Sequence, residues 1–181
     1  MASGRQYGYN TVVEGINLET ERLIIRPLVL SDATSLFRYR CLAEASRFQN
    51  FKPETVADAM SFISSLAAGP GIPDSWYQLA VVLKDTGKHI GDIGIHFPEN
   101  PDQVELGCTI APELWGKGYA TEGLKAMLDY VFNSLNKKTI IVDISPENTR
   151  SRRLFERLGF QLVSQTEDGV IYRLPKPAAR S

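Results

Sequence analysis

Apolar and polar residues alternate along several short stretches of the chain, which is the pattern of β-strands with one buried face. In residues 103–110 the even-numbered positions are all apolar, whereas Glu105 and Thr109 lie on the other face. Turn residues such as the Lys-Asp-Thr-Gly sequence at 84–87 separate these stretches. About seven strands are predicted, at residues 23–26, 78–83, 89–97, 103–110, 139–144, 161–166 and 170–174.

Elsewhere apolar residues recur every three to four positions, which predicts about four amphipathic helices. Ser31 and Asp32 supply an N-cap for the first helix, and Pro53 marks the start of the second. The helices are predicted at residues 33–42, from Pro53 to Ala67, from the glycine segment 116–118 to Phe132, and at residues 148–158. An antiparallel meander followed by strand, helix and strand predicts a mixed α/β sheet with helices on both faces.

The length of 181 residues suits a single domain. We expect a flexible arm at residues 1–17, one domain at residues 18–175 and a tail at residues 176–181. The net charge of -1 gives no global attraction for nucleic acid or for an anionic membrane, so neither is expected as a partner. No apolar run is long enough to span a bilayer and no signal-peptide pattern begins the chain, which predicts a cytoplasmic protein.

The candidate chemistry centres on Gly116 and Gly118, which lie between a predicted strand and a predicted helix. Glycines let the backbone approach a phosphate closely, and the free amides of a helix N-terminus bind negative charge. The segment matches neither a Walker A loop nor the GxGxxG dinucleotide motif. By itself, a GxG pattern is equally compatible with a tight turn that binds nothing. The two cysteines, Cys41 and Cys108, form no CxxC pattern, so no metal site or disulfide is expected.

Three motifs together resemble the GNAT superfamily of N-acetyltransferases. The segment Trp-Gly-Lys-Gly-Tyr-Ala at 115–120 is similar to the family's phosphate loop, [QR]-x-x-G-x-[GA], except that Trp115 stands at the first position. Residues 115–122 read W-G-K-G-Y-A-T-E, which resembles the RimJ/RimL branch. Residues 148–160 resemble the family's N-x-x-S-x-x-x-x-E-[KR]-x-G-F helix, and residues 18–27 resemble the opening strand of that branch.

The resemblance implies a GNAT-like single domain: a mixed, mostly antiparallel twisted sheet, splayed between the fourth and fifth predicted strands. Acetyl-CoA is the implied cosubstrate, with its pantetheine arm in the splay and no metal, and the enzyme is expected to be a monomer or a homodimer. Nearby arginines at 150, 152, 153 and 157 suit the cofactor's 3'-phosphate or form a solvated helix face. The implied cofactor-binding residues are Ile110, Trp115, Gly116, Lys117, Gly118, Tyr119, Ala120, Thr121, Asn148, Ser151 and Phe155.

Amide formation from a thioester needs an uncharged amine, so a base must remove a proton from the alkylammonium directly or through water. Glu105 is the first candidate, on the strand that leads to the loop, with a solvated strand carboxylate as the alternative. His96, Asp92 and Glu113 are lesser candidates. The backbone N–H of Ile110, just before Pro112 interrupts pairing, is the expected donor to a developing oxyanion.

The general acid is less clearly marked in the sequence. Many family members have a tyrosine where this chain has Phe155, which has no proton to donate. Ser151 is the predicted substitute, with a helix-capping role as the alternative. The resemblance also implies that Phe48, Phe51 and Trp76 line the acceptor site, with core packing as the alternative for each.

The predicted function is acetyl transfer from acetyl-CoA to a primary amine by direct attack. The branch resemblance favours a protein N-terminal amine, of the ribosomal-protein type, as the acceptor. The alternatives are a small-molecule amine, such as a polyamine, aminoglycoside or amino acid, and a non-catalytic CoA-binding regulatory module.

Overall fold

In the computed structural model, which describes residues 15–178, eight strands form one sheet in the order β1-β2-β3-β4-β5-β6-β8-β7. Every neighbouring pair is antiparallel except β5 and β6, which are parallel. The mixed, mostly antiparallel sheet is therefore confirmed. The strands are β1 Leu18–Glu19, β2 Leu23–Pro27, β3 Ser75–Leu83, β4 His89–Phe97, β5 Gln103–Ile110, β6 Thr139–Ile144, β7 Gln161–Gln165 and β8 Val170–Pro175.

Five α-helices lie among the described residues, with short 3-10 turns at Leu30–Asp32 and Pro112–Leu114. The structure thus adds one short strand, β1, and one short helix, α2, to the predicted elements. Both are too short, at two and four residues, to show a periodic pattern in the sequence. The helices are α1 Ala33–Arg40, α2 Ala43–Ser46, α3 Val56–Ser65, α4 Tyr119–Asn133 and α5 Thr149–Arg157.

The first helix begins at Ala33, as predicted, but its predicted cap and the predicted start of the second helix were wrong in detail. Asp32 makes no side-chain capping bond to α1, because its carboxylate accepts hydrogen bonds from the Arg26 guanidinium at 2.7 and 2.8 Å. The second predicted helix starts after Thr55 rather than at Pro53. The Thr55 hydroxyl accepts from the Asp58 N–H at 3.1 Å, and the Asp58 carboxylate accepts from the Thr55 N–H at 2.8 Å. This reciprocal capping box fixes the start of α3.

Helices cover both faces of the sheet, as predicted, and divide the core in two. On one face, α4 and α5 bury Leu124, Met127 and Phe155 against the central strands. On the other face, α1 and α3 bury Leu36 and Ile63, together with smaller side chains of β3.

The predicted arm at residues 1–17 lies largely outside the described residues. Of its last three positions, Ile16 is buried and packs in the core with Tyr77. Within residues 15–178, none of the helices is both long and apolar enough to cross a membrane.

Candidate active site

The sheet splits between β5 and β6. These two strands pair at only three positions, from Gln103 with Thr139 to Glu105 with Ile141. Beyond Glu105 the strand β5 continues to Ile110 with β4 on one side only. The sequence-based prediction placed a splay at this pair of strands, and the register agrees with it.

The backbone of β5 turns hydrogen-bonding groups into this split. The Ala111 N–H donates to the Ile90 carbonyl at 2.8 Å, which makes the facing pair of Ile110 and Gly91 a non-hydrogen-bonded pair. The alternation of an antiparallel ladder then directs the N–H and C=O groups of Ile110 and Cys108 away from β4. Both residues therefore present main-chain groups to a ligand that enters the split as an extra strand.

Trp115 forms a hydrogen bond with one of these main-chain groups, the carbonyl of Ile110. Its indole N–H donates to the Ile110 carbonyl at 2.7 Å, and the Arg150 guanidinium lies 3.8 Å from the centroid of its ring. The indole thus satisfies the carbonyl of Ile110 and leaves the N–H of that residue available. This contact gives Trp115 a structural role at the position where the wider family has a polar residue.

The glycine segment forms a tight loop that opens onto a helix N-terminus. Gly116 and Gly118 both have left-handed backbone angles, with φ of 79° and 85°. The Glu122 N–H donates to the Gly118 carbonyl at 3.0 Å, so the amides of residues 119–121 precede the first helical hydrogen bond of α4. A cavity of about 200 Å³ lies over this loop. Free amides and the positive end of a fifteen-residue helix suit a diphosphate there.

A larger cavity, of about 520 Å³, lies in the split beside this one, and the two share Ile110, Trp115 and Ala120 among their lining residues. We call it the main cavity. One of its walls comes from residues 43–49, which include α2, and the other from β5, Trp115 and α5. Its lining residues are Ala43, Glu44, Ala45, Arg47, Phe48, Gln49, Cys108, Thr109, Ile110, Trp115, Ala120, Asn148, Arg150, Ser151 and Leu154.

Ten of the sequence-predicted site residues therefore come together at these two cavities. In the main cavity lie Phe48, Ile110, Trp115, Ala120, Asn148 and Ser151, and the smaller one adds Gly116, Gly118, Tyr119 and Thr121. Asn148 is the N-cap of α5, since its side-chain oxygen accepts from the Ser151 N–H at 3.1 Å. Asn148, and not Ser151, therefore caps the helix. The Ser151 hydroxyl makes no hydrogen bond within residues 15–178, so it is available to a ligand.

The remaining predicted residues line neither cavity. Phe155 is buried and packs edge-to-face on Phe160, and Phe51 stacks on Phe62, so both have core-packing roles. Trp76 is exposed and stacks on His96. The Lys117 carbonyl accepts a hydrogen bond from Arg22 while its side chain is exposed.

Glu105 lies outside the main cavity but on the same face of β5 as Thr109, which lines it. The Glu105 carboxylate is 3.6 Å from the His96 imidazole. Burial raises the pKa of Glu105 above the ordinary carboxyl value; His96 opposes this shift and the charge of Asp143 adds to it. Between Glu105 and Thr109, a side chain added at Gly107 would meet no atom within 4 Å. Open space therefore connects this carboxylate with the cavity wall.

Cys108 is a poor nucleophile despite its place in the main cavity. Burial raises the pKa of its thiol to about 12, so the reactive thiolate is scarce near neutral pH. A covalent acetyl-cysteine route is therefore not favoured at this position.

Arg22 is a residue of the site that the sequence-based reasoning used only as part of a motif. Its guanidinium donates to the Lys117 carbonyl at 3.1 Å, bonds the Glu122 carboxylate at 2.6 Å and lies 4.5 Å from the centroid of the Tyr119 ring. Arg22 therefore links β2 to the phosphate loop and to the first turn of α4. Only the 95-residue separation between Arg22 and Lys117 hid this contact, because no local pattern connects them.

Replacing Arg22 with glutamine is expected to lower the affinity for CoA about five- to tenfold, because the Lys117 carbonyl and the Glu122 carboxylate lose their charged, forked donor. The kcat/KM for acetyl-pantetheine, which lacks the diphosphate, should stay within about twofold of the wild type. Titration calorimetry with CoA and a thiol-release assay with acetyl-pantetheine measure the two quantities. The control is Lys84→Gln, which removes a nearby charge paired with Glu19 but touches no loop residue. Equal losses with both acetyl donors would contradict a role at the loop.

Comparisons with known proteins agree with this geometry. Residues 22–161 match the model of the acetyltransferase (GNAT) domain. The chain is 32% identical over 149 residues to the uncharacterized N-acetyltransferase p20 of Bacillus licheniformis. The aligned region covers 80% of this chain and 82% of that protein. The uncharacterized N-acetyltransferase YoaA of Bacillus subtilis strain 168 is 32% identical over 150 residues, with the same shares covered.

The fold is also found in a solved structure. A GNAT-family acetyltransferase from Bacillus anthracis superposes with a TM-score of 0.77 at 22% identity, over 89% of this chain and 99% of that one. With a family model matched over most of the chain and relatives of similar length, the resemblance inferred from the motifs is confirmed at the level of the family. The chain belongs to the GNAT family of acetyltransferases and is an acetyl-CoA-dependent N-acetyltransferase.

Proposed function

We propose that this enzyme transfers acetyl directly from acetyl-CoA to the α-amine at a protein N-terminus. The observation that carries the proposal is the split between β5 and β6, where free main-chain groups, a helix N-terminus and a large cavity lie together. Acetyl-CoA supplies an activated thioester. The amine nitrogen forms a bond to its carbonyl carbon as the C–S bond breaks, the amine loses a proton, and the CoA sulfur gains one.

The residues of the split suit the parts of the cofactor in order. The loop glycines and the amides of residues 119–121 would hold the diphosphate. Of the N–H groups of Cys108 and Ile110, one would donate to the pantetheine arm while the other faces the acetyl group, and the Asn148 side-chain nitrogen, left over by its capping bond, would add a donor. Arg150 and Arg157 line the smaller cavity and would bind phosphate oxygens.

Two N–H groups are candidates for stabilising the oxyanion. The Ile110 N–H is the donor predicted from the sequence, and it stays the first candidate because the bond from Trp115 holds the carbonyl of the same residue in place. The Cys108 N–H has the same direction and lies about 7 Å farther along β5 from the phosphate loop. The acyl group lies at the far end of the extended pantetheine arm and could therefore reach a donor this far from the loop. The Cys108 N–H is for this reason the second candidate.

Glu105 is the proposed base and acts through water. It lies three residues before Cys108 on the strand, about 10 Å away, which is too far for direct proton transfer. The open space over Gly107 gives water a path between the carboxylate and the cavity. Ser151 is the proposed acid, since this residue lines the main cavity while Asn148 provides the cap of α5.

The acceptor proposal follows from the branch resemblance and from the charges of the main cavity. Its lining contains one carboxylate, Glu44, against the guanidinium groups of Arg47 and Arg150. A polyamine or an aminoglycoside carries several positive charges and would need a more acidic lining. The alternative of a non-catalytic CoA-binding module loses its support, because the family and its N-acetyltransferase relatives are enzymes.

Thiol release from acetyl-CoA tests the proposal across peptides with free N-termini, polyamines, aminoglycosides and amino acids. We expect turnover of the peptides, with Glu105→Gln lowering kcat/KM about 100-fold. The wild-type rate should fall as the pH drops through the raised pKa of Glu105, because the protonated carboxyl accepts no proton, and the variant should lack this dependence. Turnover confined to polyamines, or a Glu105→Gln variant with the wild-type pH profile, would contradict the proposal.

A further inference from the structure

Gln49 lies on the wall of the main cavity opposite α5, just after the helix α2. Its side-chain amide accepts a hydrogen bond from the Arg40 guanidinium, with 3.0 Å between Nη1 and Oε1. A guanidinium has only donors, so the amide must turn its oxygen towards Arg40. The amide nitrogen, which has two N–H donors and no hydrogen-bond partner within residues 15–178, is therefore the group left for a ligand.

A buried ion pair fixes this orientation. Arg40 and Asp92 are 5% and 1% exposed and are joined by two hydrogen bonds. The same carboxylate accepts from the Tyr39 hydroxyl and from the Gln78 side-chain nitrogen, each at 2.6 Å. Since Asp92 holds Arg40 from the sheet side, Arg40 cannot follow Gln49 if that side chain moves. The bond to Arg40 thus favours the orientation in which the amide nitrogen of Gln49 is left for an acceptor.

Thr109 is a second polar residue on the lining of the same cavity. It is 6% exposed, and its hydroxyl has no hydrogen-bond partner within the described part of the chain. A buried hydroxyl without a partner carries a free-energy cost that a polar atom of a ligand would remove. Thr109 also lies on the Glu105 face of β5, which is the face from which the proposed base would act.

We propose that the Gln49 amide nitrogen and the Thr109 hydroxyl form a subsite for an oxygen atom carried next to the acceptor's amine. The chemical class that fits is an α-amino carbonyl compound, in which a carbonyl oxygen lies two bonds beyond the carbon that bears the nitrogen. An aliphatic polyamine has no oxygen there and leaves both donors unpaired. The subsite rests on the proposed function, since it assumes that an amine is acetylated in this cavity.

A matched pair of acceptors tests the subsite: an alanyl peptide amide, and the same peptide with its first carbonyl reduced to CH2. For the wild type we expect kcat/KM to favour the carbonyl compound about tenfold or more, after correction for the different amine pKa values. A preference of this size is the expected cost of leaving a cavity donor unpaired. A wild-type ratio near one would overturn the subsite without any variant.

Gln49→Glu is the variant that isolates the donor. It keeps the shape of the side chain and its contact with Arg40, but it puts an oxygen where the amide nitrogen stood. The preference for the carbonyl compound should fall to about twofold or less, whereas the affinity for CoA should be kept. Gln49→Leu, which removes the polar group altogether, should lower the same ratio and serves if the first variant folds poorly.

The outcomes separate the subsite from the function on which it rests. A wild-type preference that survives both substitutions would overturn the subsite while leaving direct amine acetylation intact. Acetylation of neither acceptor by a wild type that still binds CoA would overturn the proposed function, and the subsite with it. A preference that both substitutions abolish supports the two together.

Discussion

Replacing Gly118 with valine is expected to weaken CoA binding roughly 10- to 100-fold. Gly118 is the N-cap of α4, with φ of 85°, where a β-branched residue is strained by about 1–3 kcal/mol. A side-chain carbon at this position would also lie 3.4 Å from the Arg22 guanidinium. This strain drives the loop towards other backbone angles, which would move the amides of residues 119–121 away from the proposed place of the diphosphate. Titration calorimetry with CoA measures the loss.

Gly87→Val is the matched control for this prediction. Gly87 lies in the turn between β3 and β4, also has a positive φ, of 65°, and has no neighbour within 4 Å of an added side-chain carbon. It carries the same kind of backbone strain at a distance from the loop. The control should lose stability while it binds CoA as the wild type does. If Gly118→Val bound CoA with wild-type affinity, the diphosphate would not rest on this loop.

Replacing Asp92 with alanine is expected to lower the free energy of unfolding by roughly 3–5 kcal/mol, because the buried guanidinium of Arg40 loses its partner. The Tyr39 hydroxyl and the Gln78 amide lose the same acceptor. Urea unfolding followed by circular dichroism measures the change. The double variant Arg40→Met with Asp92→Leu should be more stable than Asp92→Ala alone, since no uncompensated charge is then buried.

The exposed pair of Arg47 and Glu147 provides the comparison. Their side chains are 65% and 71% exposed and lie 2.9 Å apart. Glu147→Gln should change the unfolding free energy by about 1 kcal/mol or less, because water screens this pair. Similar losses for Asp92→Ala and Glu147→Gln would show that the Arg40–Asp92 pair is not the buried anchor described here.

Local patterns were enough to predict much of the fold. Strict alternation in β5 and the helical spacing of α4 come from burial of one face, which leaves a direct trace in the sequence. The tight turn at Gly116 and Gly118 was predictable for a different reason, since glycine takes backbone angles that other residues avoid. Its role in binding phosphate stays a prediction. The short elements β1 and α2 leave no such trace, because two or four residues do not complete a period.

The parts of the site that depend on distant contacts could not be predicted. Arg22 and the phosphate loop are close only because β2 and the start of α4 meet in the fold. The orientation of Gln49 depends on Arg40, whose own position depends on Asp92, 52 residues away along the chain. The indole of Trp115 bonds a carbonyl of the preceding strand, and the letter W in the loop motif does not reveal this bond. Such contacts are properties of packing and not of local sequence.

The proposed place of the pantetheine arm, along β5 in the split of the sheet, is the central claim of this account. Residue-resolved amide hydrogen exchange, measured by NMR with and without saturating CoA, tests it directly. We expect the amides of Cys108 and Ile110 to exchange at least tenfold more slowly with CoA bound, because the bound cofactor would then cover the N–H groups of both residues. The Gly107 and Thr109 amides, which face β4, should already be protected without it. Protection of the phosphate-loop amides with no change at Cys108 or Ile110 would contradict the account.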